Sequence, residues 1–199
     1  MAGGAVLNCL LINGFDSSTQ DLDFFWLGGS WTSFIAAIDR FERKAKSRIL
    51  ETKNIYGILI EFTLLIDNDH TQHIQFIFGR ETSNMSFILY TFDLDIVQVG
   101  FDGYKIISTI GFFQAVATRS FISYGLTNDI HDTIYYLDRC FKYNQRGFSW
   151  LCPIDYNDFL AQKPLVTEKK IYDYGFNDFY FNVDSFNVQI RFLNFNLFN

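Results

Sequence analysis

The spacing of apolar residues predicts an α/β (α+β) fold, a small mixed sheet flanked by helices, with a C-terminal helical part and an aromatic tail. Three observations carry this expectation. Segments with apolar residues at helical spacing alternate with short apolar runs of strand length, in the order helix, strand, helix, strands, helix, strands. The 199 residues are 49% hydrophobic and include only two prolines, so a chain of this size can bury a real core with few interrupted elements. No internal repeat of roughly 20 to 50 residues is visible, which excludes a solenoid or propeller.

Each element has its own signal. Ala5 to Ile12 is apolar and reads as a short helix opened by Gly3 and Gly4, followed by the turn chemistry of "NGFDSSTQ". "DLDFFWL" reads as a strand. Trp31, Phe34, Ile35, Ile38, Phe41, Ala45 and Ile49 recur at helical spacing and predict an amphipathic helix of about four to five turns. "IYGILIEFTLLI" and "TQHIQFIF" flank "DNDH" and read as a strand pair. "SNMSFILYTF" opens with N-cap residues and predicts a short helix. "DIVQVGF" and "YKIIST" read as a hairpin turned by Asp102 and Gly103. "FFQAVATRSFISYG" predicts a helix ending at Gly125, and Ile130, Ile134, Leu137 and Phe141 predict another. The Phe- and Asn-rich tail reads as strand or extended chain, covering the open sheet face or docking on a second subunit.

Composition excludes several function classes. A net charge of −6 and a sequence pI near 4.9 disfavour a broad electrostatic grip on nucleic acid. Cys9, Cys140 and Cys152 have no CxxC spacing, so neither a disulfide framework nor a zinc site is expected. His70, His73 and His131 form no metal-binding spacing, and GxSxG and GxxxxGK[ST] motifs are missing. No apolar run approaches the roughly 20 residues of a membrane span. No membrane association and a soluble, cytoplasmic protein are the expectation.

Two carboxylates carry the chemistry. In "DLDFF", Asp21 and Asp23 share one face of a strand, because side chains alternate at period two. Holding like charges that close is costly, and a divalent cation such as Mg²⁺ or Mn²⁺ removes the cost. Gly3 and Gly4 would let a backbone turn approach a phosphate with no side chain in the way. Asp93 and Asp95 in "FDLDIVQV" read as sharing a strand face and are candidates for a third acid, Asp93 favoured, or else are N-cap or turn-facing carboxylates, whereas Gln75 in "HIQFIF" cannot be a base. Arg139, Lys142 and Arg146 lie three and four residues apart on one helix face, where they could hold a phosphate or form a solvated stripe.

"GGAVLNCLL" followed by "DLDFF" resembles the GG and DxD signature of the nucleotidyltransferase fold, the superfamily of DNA polymerase beta and the tRNA CCA-adding enzymes. "FDLDIVQVGFDG" and "YYLDRCFKYNQRGFSWLCP" are similar to patterns of nucleotidyltransferase-like domains of large DNA viruses and phages and of ankyrin-associated proteins. The likeness spans roughly residues 2 to 153. It implies a nucleotidyltransferase-like core over 1–110, a helical extension over 111–163 and an aromatic tail over 164–199. It also implies transfer of a nucleoside monophosphate from an NTP to an acceptor hydroxyl on RNA, protein or a small molecule. Carried over by position, Gly3 and Gly4 face the triphosphate and Asp21 and Asp23 bind Mg²⁺. Many members use a third carboxylate to activate the attacking hydroxyl, and Asp93 is the favoured candidate for it, while Arg139 and Lys142 remain candidate nucleotide contacts from their helix spacing. A virus-infected host cell would be the setting. Three departures point to the alternative, a catalytically inactive subunit of a larger assembly. Leu7 and Asn8 stand where the CCA-adding branch has Arg-Asp, no strand is read ahead of the glycines, and no second basic motif for base or ribose is evident.

Overall fold

The computed structural model describes residues 1–16, 20–67, 70–79, 84–124, 130–153 and 191–193. They fall into two compact units, Met1–Thr118 and Arg119–Asn199.

The first unit is a mixed α/β structure, in keeping with the sequence pattern. Helix α1 (Gly4–Leu10) leads to strand β1 (Leu22–Trp26) and helix α2 (Trp31–Ala45), whose N-cap Ser30 accepts from the Ser33 amide. Strands β2 (Ile49–Ile55), β3 (Leu59–Leu65) and β4 (Thr71–Phe78) follow. Helix α3 (Met85–Tyr90) is capped by Asn84, and β5 (Val99–Phe101), β6 (Ile106–Ser108) and α4 (Ile110–Thr118) complete the unit.

The four longer strands form a sheet in the order β1-β4-β3-β2. β1 runs parallel to β4, and the other neighbours are antiparallel. Ala2 bridges β1 at Asp23 on one side and β5 at Gly100 on the other, which joins the β5–β6 hairpin to the sheet. Gly100 leaves room for this close approach, because a Cβ there would meet Met85 Sδ at 2.8 Å and the Met1 carbonyl at 3.3 Å.

One face of the sheet is apolar. Phe62, Ile60 and Leu64 of β3 pack with Phe34 and Ile38 of α2, and Phe41, Ile74 and Phe76 complete the cluster. Helix α2 is amphipathic, with its charged residues Arg40, Arg43 and Lys44 exposed.

Three expectations about elements are corrected. Ile49 is not the last helical position: α2 ends at Ala45, the chain turns, and "ILETKNI" becomes the edge strand β2. The helix expected to run to Gly125 stops at Thr118, where Arg119 takes a left-handed backbone (φ 51°) and Ser120–Phe121 forms β7. Gly125 itself lies outside the described residues. "FDLDIVQV" is not a strand, since Asp93 sits in a bend and Asp95–Val97 forms one 3-10 turn.

In the second unit, helix α5 (Ile130–Gln145) precedes β8 (Ser149–Pro153), which pairs in parallel with β7 and with β9 (Arg191–Leu193). Its aromatic packing includes Phe121 against Tyr143 and Tyr136 against Trp150. Apart from β9, the aromatic tail 164–199 lies outside the described residues.

Candidate functional site

Gly3 and Asp23, separated by the length of α1 and a loop, meet beside β1. The residues ahead of the glycines are themselves strand-like: the Ala2 amide donates to the Asp23 carbonyl at 3.0 Å and the Gly3 amide to the Val99 carbonyl at 2.8 Å. So the glycine turn is fixed from both sides, by a pairing too short to read as a strand. Gly3 has φ 84° and ψ −149°, a region essentially closed to other residues. A Cβ at Gly3 would point at Asp23 Oδ2, 3.7 Å away, and at the Phe92 ring, 3.9 Å away. Turn and carboxylate therefore face each other. Gly4 is buried as the first residue of α1, and its neighbour Leu7 is fully buried. Asn8 both donates to and accepts from the Phe15 backbone, at 3.0 and 2.7 Å, so it serves the loop after α1.

Asp23 lies on β1 and Asp21 just before it, both half-buried. The Gln72 amide donates to the Gln20 carbonyl, tying the entry into β1 to β4. Phe25, on the same face as Asp23, packs with Met85, Leu89 and Phe92. Asp23 thus stands where a small core ends and a polar sheet face begins.

That polar face holds a row of side chains. Gln75 on β4 is the register partner of Asp23, Glu61 on β3 is the partner of Gln75, and Lys53 on β2 is the partner of Glu61. The Gln75 amide donates to Glu61 Oε2 at 2.8 Å, and Lys53 Nζ lies 3.6 Å from Glu61 Oε1. His73 Nδ1 is 3.8 Å from the same oxygen and 3.4 Å from Thr63 Oγ1. Hydrogen bonding and attraction to Glu51, and then to Glu61, hold the Lys53 ammonium above its ordinary pKa. Glu61 was not singled out from the sequence, although a lone carboxylate inside the apolar run "LIEFTLL" was a signal for it.

The other sequence candidates lie on other elements. Asp93 follows α3, and Asp95 is buried at 3% exposure in the 3-10 turn, so the two do not share a strand face. Among the described residues, no three His, Cys, Asp or Glu side chains are grouped so as to hold a metal ion. Asp93 therefore does not join Asp21 and Asp23 in such a group. Arg139 and Lys142 lie on α5 in the second unit, with Lys142 in its last turn. Arg146 stacks over the Tyr143 ring at 5.2 Å, and burial lowers its pKa. No helix among the described residues is long and apolar enough to cross a membrane.

The Asp23 carboxylate beside a turn without a side chain, with Asp21 two residues before it in the chain, offers hard oxygens of the kind a Mg²⁺ or Mn²⁺ ion takes together with substrate phosphates and water. The donor set does not suit a metal that needs sulfur or imidazole.

No family model and no curated protein matches the chain. Solved structures do. One described as a tRNA-processing enzyme in apo form aligns with a TM-score of 0.52 at 15% identity, covering 75% of this chain and 38% of that one. A second, described as a tRNA-processing enzyme complex, aligns with a TM-score of 0.52 at 16% identity, covering 75% and 39%. The fold is shared with these enzymes. This chain spans under two-fifths of their length.

Proposed function

We propose that the protein is a nucleotidyltransferase that binds an NTP with a divalent cation at Asp21 and Asp23 and passes its nucleoside monophosphate to an acceptor hydroxyl. The observation that carries this reading is the Gly3 turn facing the Asp23 carboxylate, joined by a fold shared with tRNA-processing enzymes. The acceptor oxygen would form the new bond to the α-phosphorus as the bond to pyrophosphate breaks, and pyrophosphate would leave. A bound Mg²⁺ or Mn²⁺ would neutralise charge on the phosphates. Asp21 and Asp23 would hold that ion, and Gly3 would let the phosphates approach without a steric barrier. Asp93 as proton acceptor belongs to the same proposal, on the strength of the family resemblance, and Arg139 and Lys142 are proposed, from their spacing on α5, as contacts for a phosphate.

Titration of Mg²⁺ with each NTP into the wild type and into Asp21→Ala/Asp23→Ala tests it. Metal-dependent nucleotide binding that is lost in the variant is the expected result. Equal binding by both proteins would remove the reading. A second reading, a fold retained for binding or assembly without transfer, is favoured by Gln75, an amide at the position facing Asp23. Binding of Mg²⁺ and NTP without pyrophosphate release would select it.

A further inference from the structure

The residue beside Asp23 on the neighbouring strand decides how much negative charge a cation meets at this place. In a parallel pair, register partners point to the same side of the sheet and lie about 4.8 Å apart. Gln75 has that relation to Asp23, and its amide is committed to Glu61 at 2.8 Å. Glu61 is only 13% exposed and is held by Lys53 from the other side. It stands two strand spacings from Asp23, roughly 10 Å, too far to share one ion whose oxygen ligands lie about 2.1 Å away.

Resting on the nucleotide reading above, we propose that Gln75 sets the cation requirement of the site. A neutral amide in that row position keeps the site at the two carboxylates of Asp21 and Asp23. Two carboxylates hold a hard divalent cation weakly, and the substrate phosphates supply the missing anionic oxygens. The ion therefore enters with the nucleotide and not ahead of it. The Gln75–Glu61 bond has a second consequence: Glu61 is tied to Gln75 and Lys53, and β4 presents an amide, not a further carboxylate, beside Asp23.

The decisive experiment moves the carboxylate by one strand at constant charge. In Glu61→Gln/Gln75→Glu, the hydrogen bond between positions 61 and 75 can form with its direction reversed, and the acid lies beside Asp23. Mn²⁺ alone is titrated into the wild type, this double variant and Gln75→Ala, with free Mn²⁺ followed by electron paramagnetic resonance. The wild type and Gln75→Ala are expected to bind Mn²⁺ alone equally weakly, and the double variant about tenfold more tightly or better, as expected from an added carboxylate ligand. Its thermal midpoint should also rise on adding Mn²⁺, while that of the wild type stays put. Equal Mn²⁺ affinity in the double variant and the wild type would overturn the proposal. Tight binding of Mn²⁺ by the wild type without nucleotide would overturn it as well. The nucleotide reading has a separate readout, Mn²⁺ titrated with a non-hydrolysable NTP analogue into wild type and Asp23→Asn. No difference between those two would overturn that reading, whatever the double variant does with Mn²⁺ alone. If the double variant fails to fold, Gln75→Glu alone puts an acid beside Asp23 with one negative charge added, and Mn²⁺ affinity equal to that of the wild type would overturn the proposal there too.

Discussion

The two faces of the four-stranded sheet are built from alternate residues of the same strands, yet they answer to different demands. On β3, Ile60, Phe62 and Leu64 are buried under α2, while Glu61 and Thr63 between them carry a polar network with Lys53, His73 and Gln75. Burial of aromatic and branched side chains stabilises the first face. The second face gains less stability from its ion pairs, because Lys53 and His73 reach solvent that screens them. What the contrast teaches is a division of labour at single-residue resolution: one face holds the sheet together, which leaves the other open to chemical use.

The comparison breaks first at Phe62, which is fully buried and packs tilted against Phe41 and edge-on against Phe76. Phe62→Ala should cost about 3–5 kcal/mol in chemical denaturation, the range for truncating a core aromatic. A loss below about 1 kcal/mol would show that the apolar face is not the stabilising one. Next comes the margin between the faces. Gly3→Ala places a side chain where only glycine is comfortable and should cost about 1–3 kcal/mol, read from the same denaturation curves. The smallest effect belongs to the polar face. Lys53 has its pKa raised by Glu51 and Glu61, so its contribution is fully present below the unfolded lysine value and is lost as pH rises through the folded one. Lys53→Met should leave stability nearly unchanged near neutral pH and flatten the slope of stability against pH above about 10. A large loss at neutral pH would mean that the polar row carries part of the fold.

Much of this arrangement was legible in the sequence, and the places where it was not have physical causes. Helix α2 was read from its apolar stripe, since one face meets the sheet and the other meets water. The hairpin at Asp102 and Gly103 was equally clear. Asp102 Oδ1 accepts from the Tyr104 and Lys105 amides at 2.9 Å, and Gly103 takes φ 105°. Strand β2 was missed because five of its seven residues are exposed, so "ILETKNI" shows no alternation to distinguish it from a helix end. The end of α4 was missed because the break is a left-handed Arg119, not a glycine or proline. At the candidate site, the glycines and Asp21–Asp23 were read together from their types and order. The row Asp23–Gln75–Glu61–Lys53 was not, because strand register comes from pairing across the whole sheet, which local spacing does not encode.

The double bridge made by Ala2 also bears on how the chain reaches this structure. The Phe101 amide bonds the Met1 carbonyl at 2.8 Å across a separation of 100 residues, while Ala2 pairs with Asp23 on its other side. On the ribosome, the segment before the glycines must wait for its far partner. At a synthesis rate of roughly 5–20 residues per second, that wait is about 5–20 s. During it, the side of the Met1–Ala2 segment that later meets β5 offers unpaired backbone to any passing strand, which exposes a nascent chain there to misassembly and to capture by a chaperone.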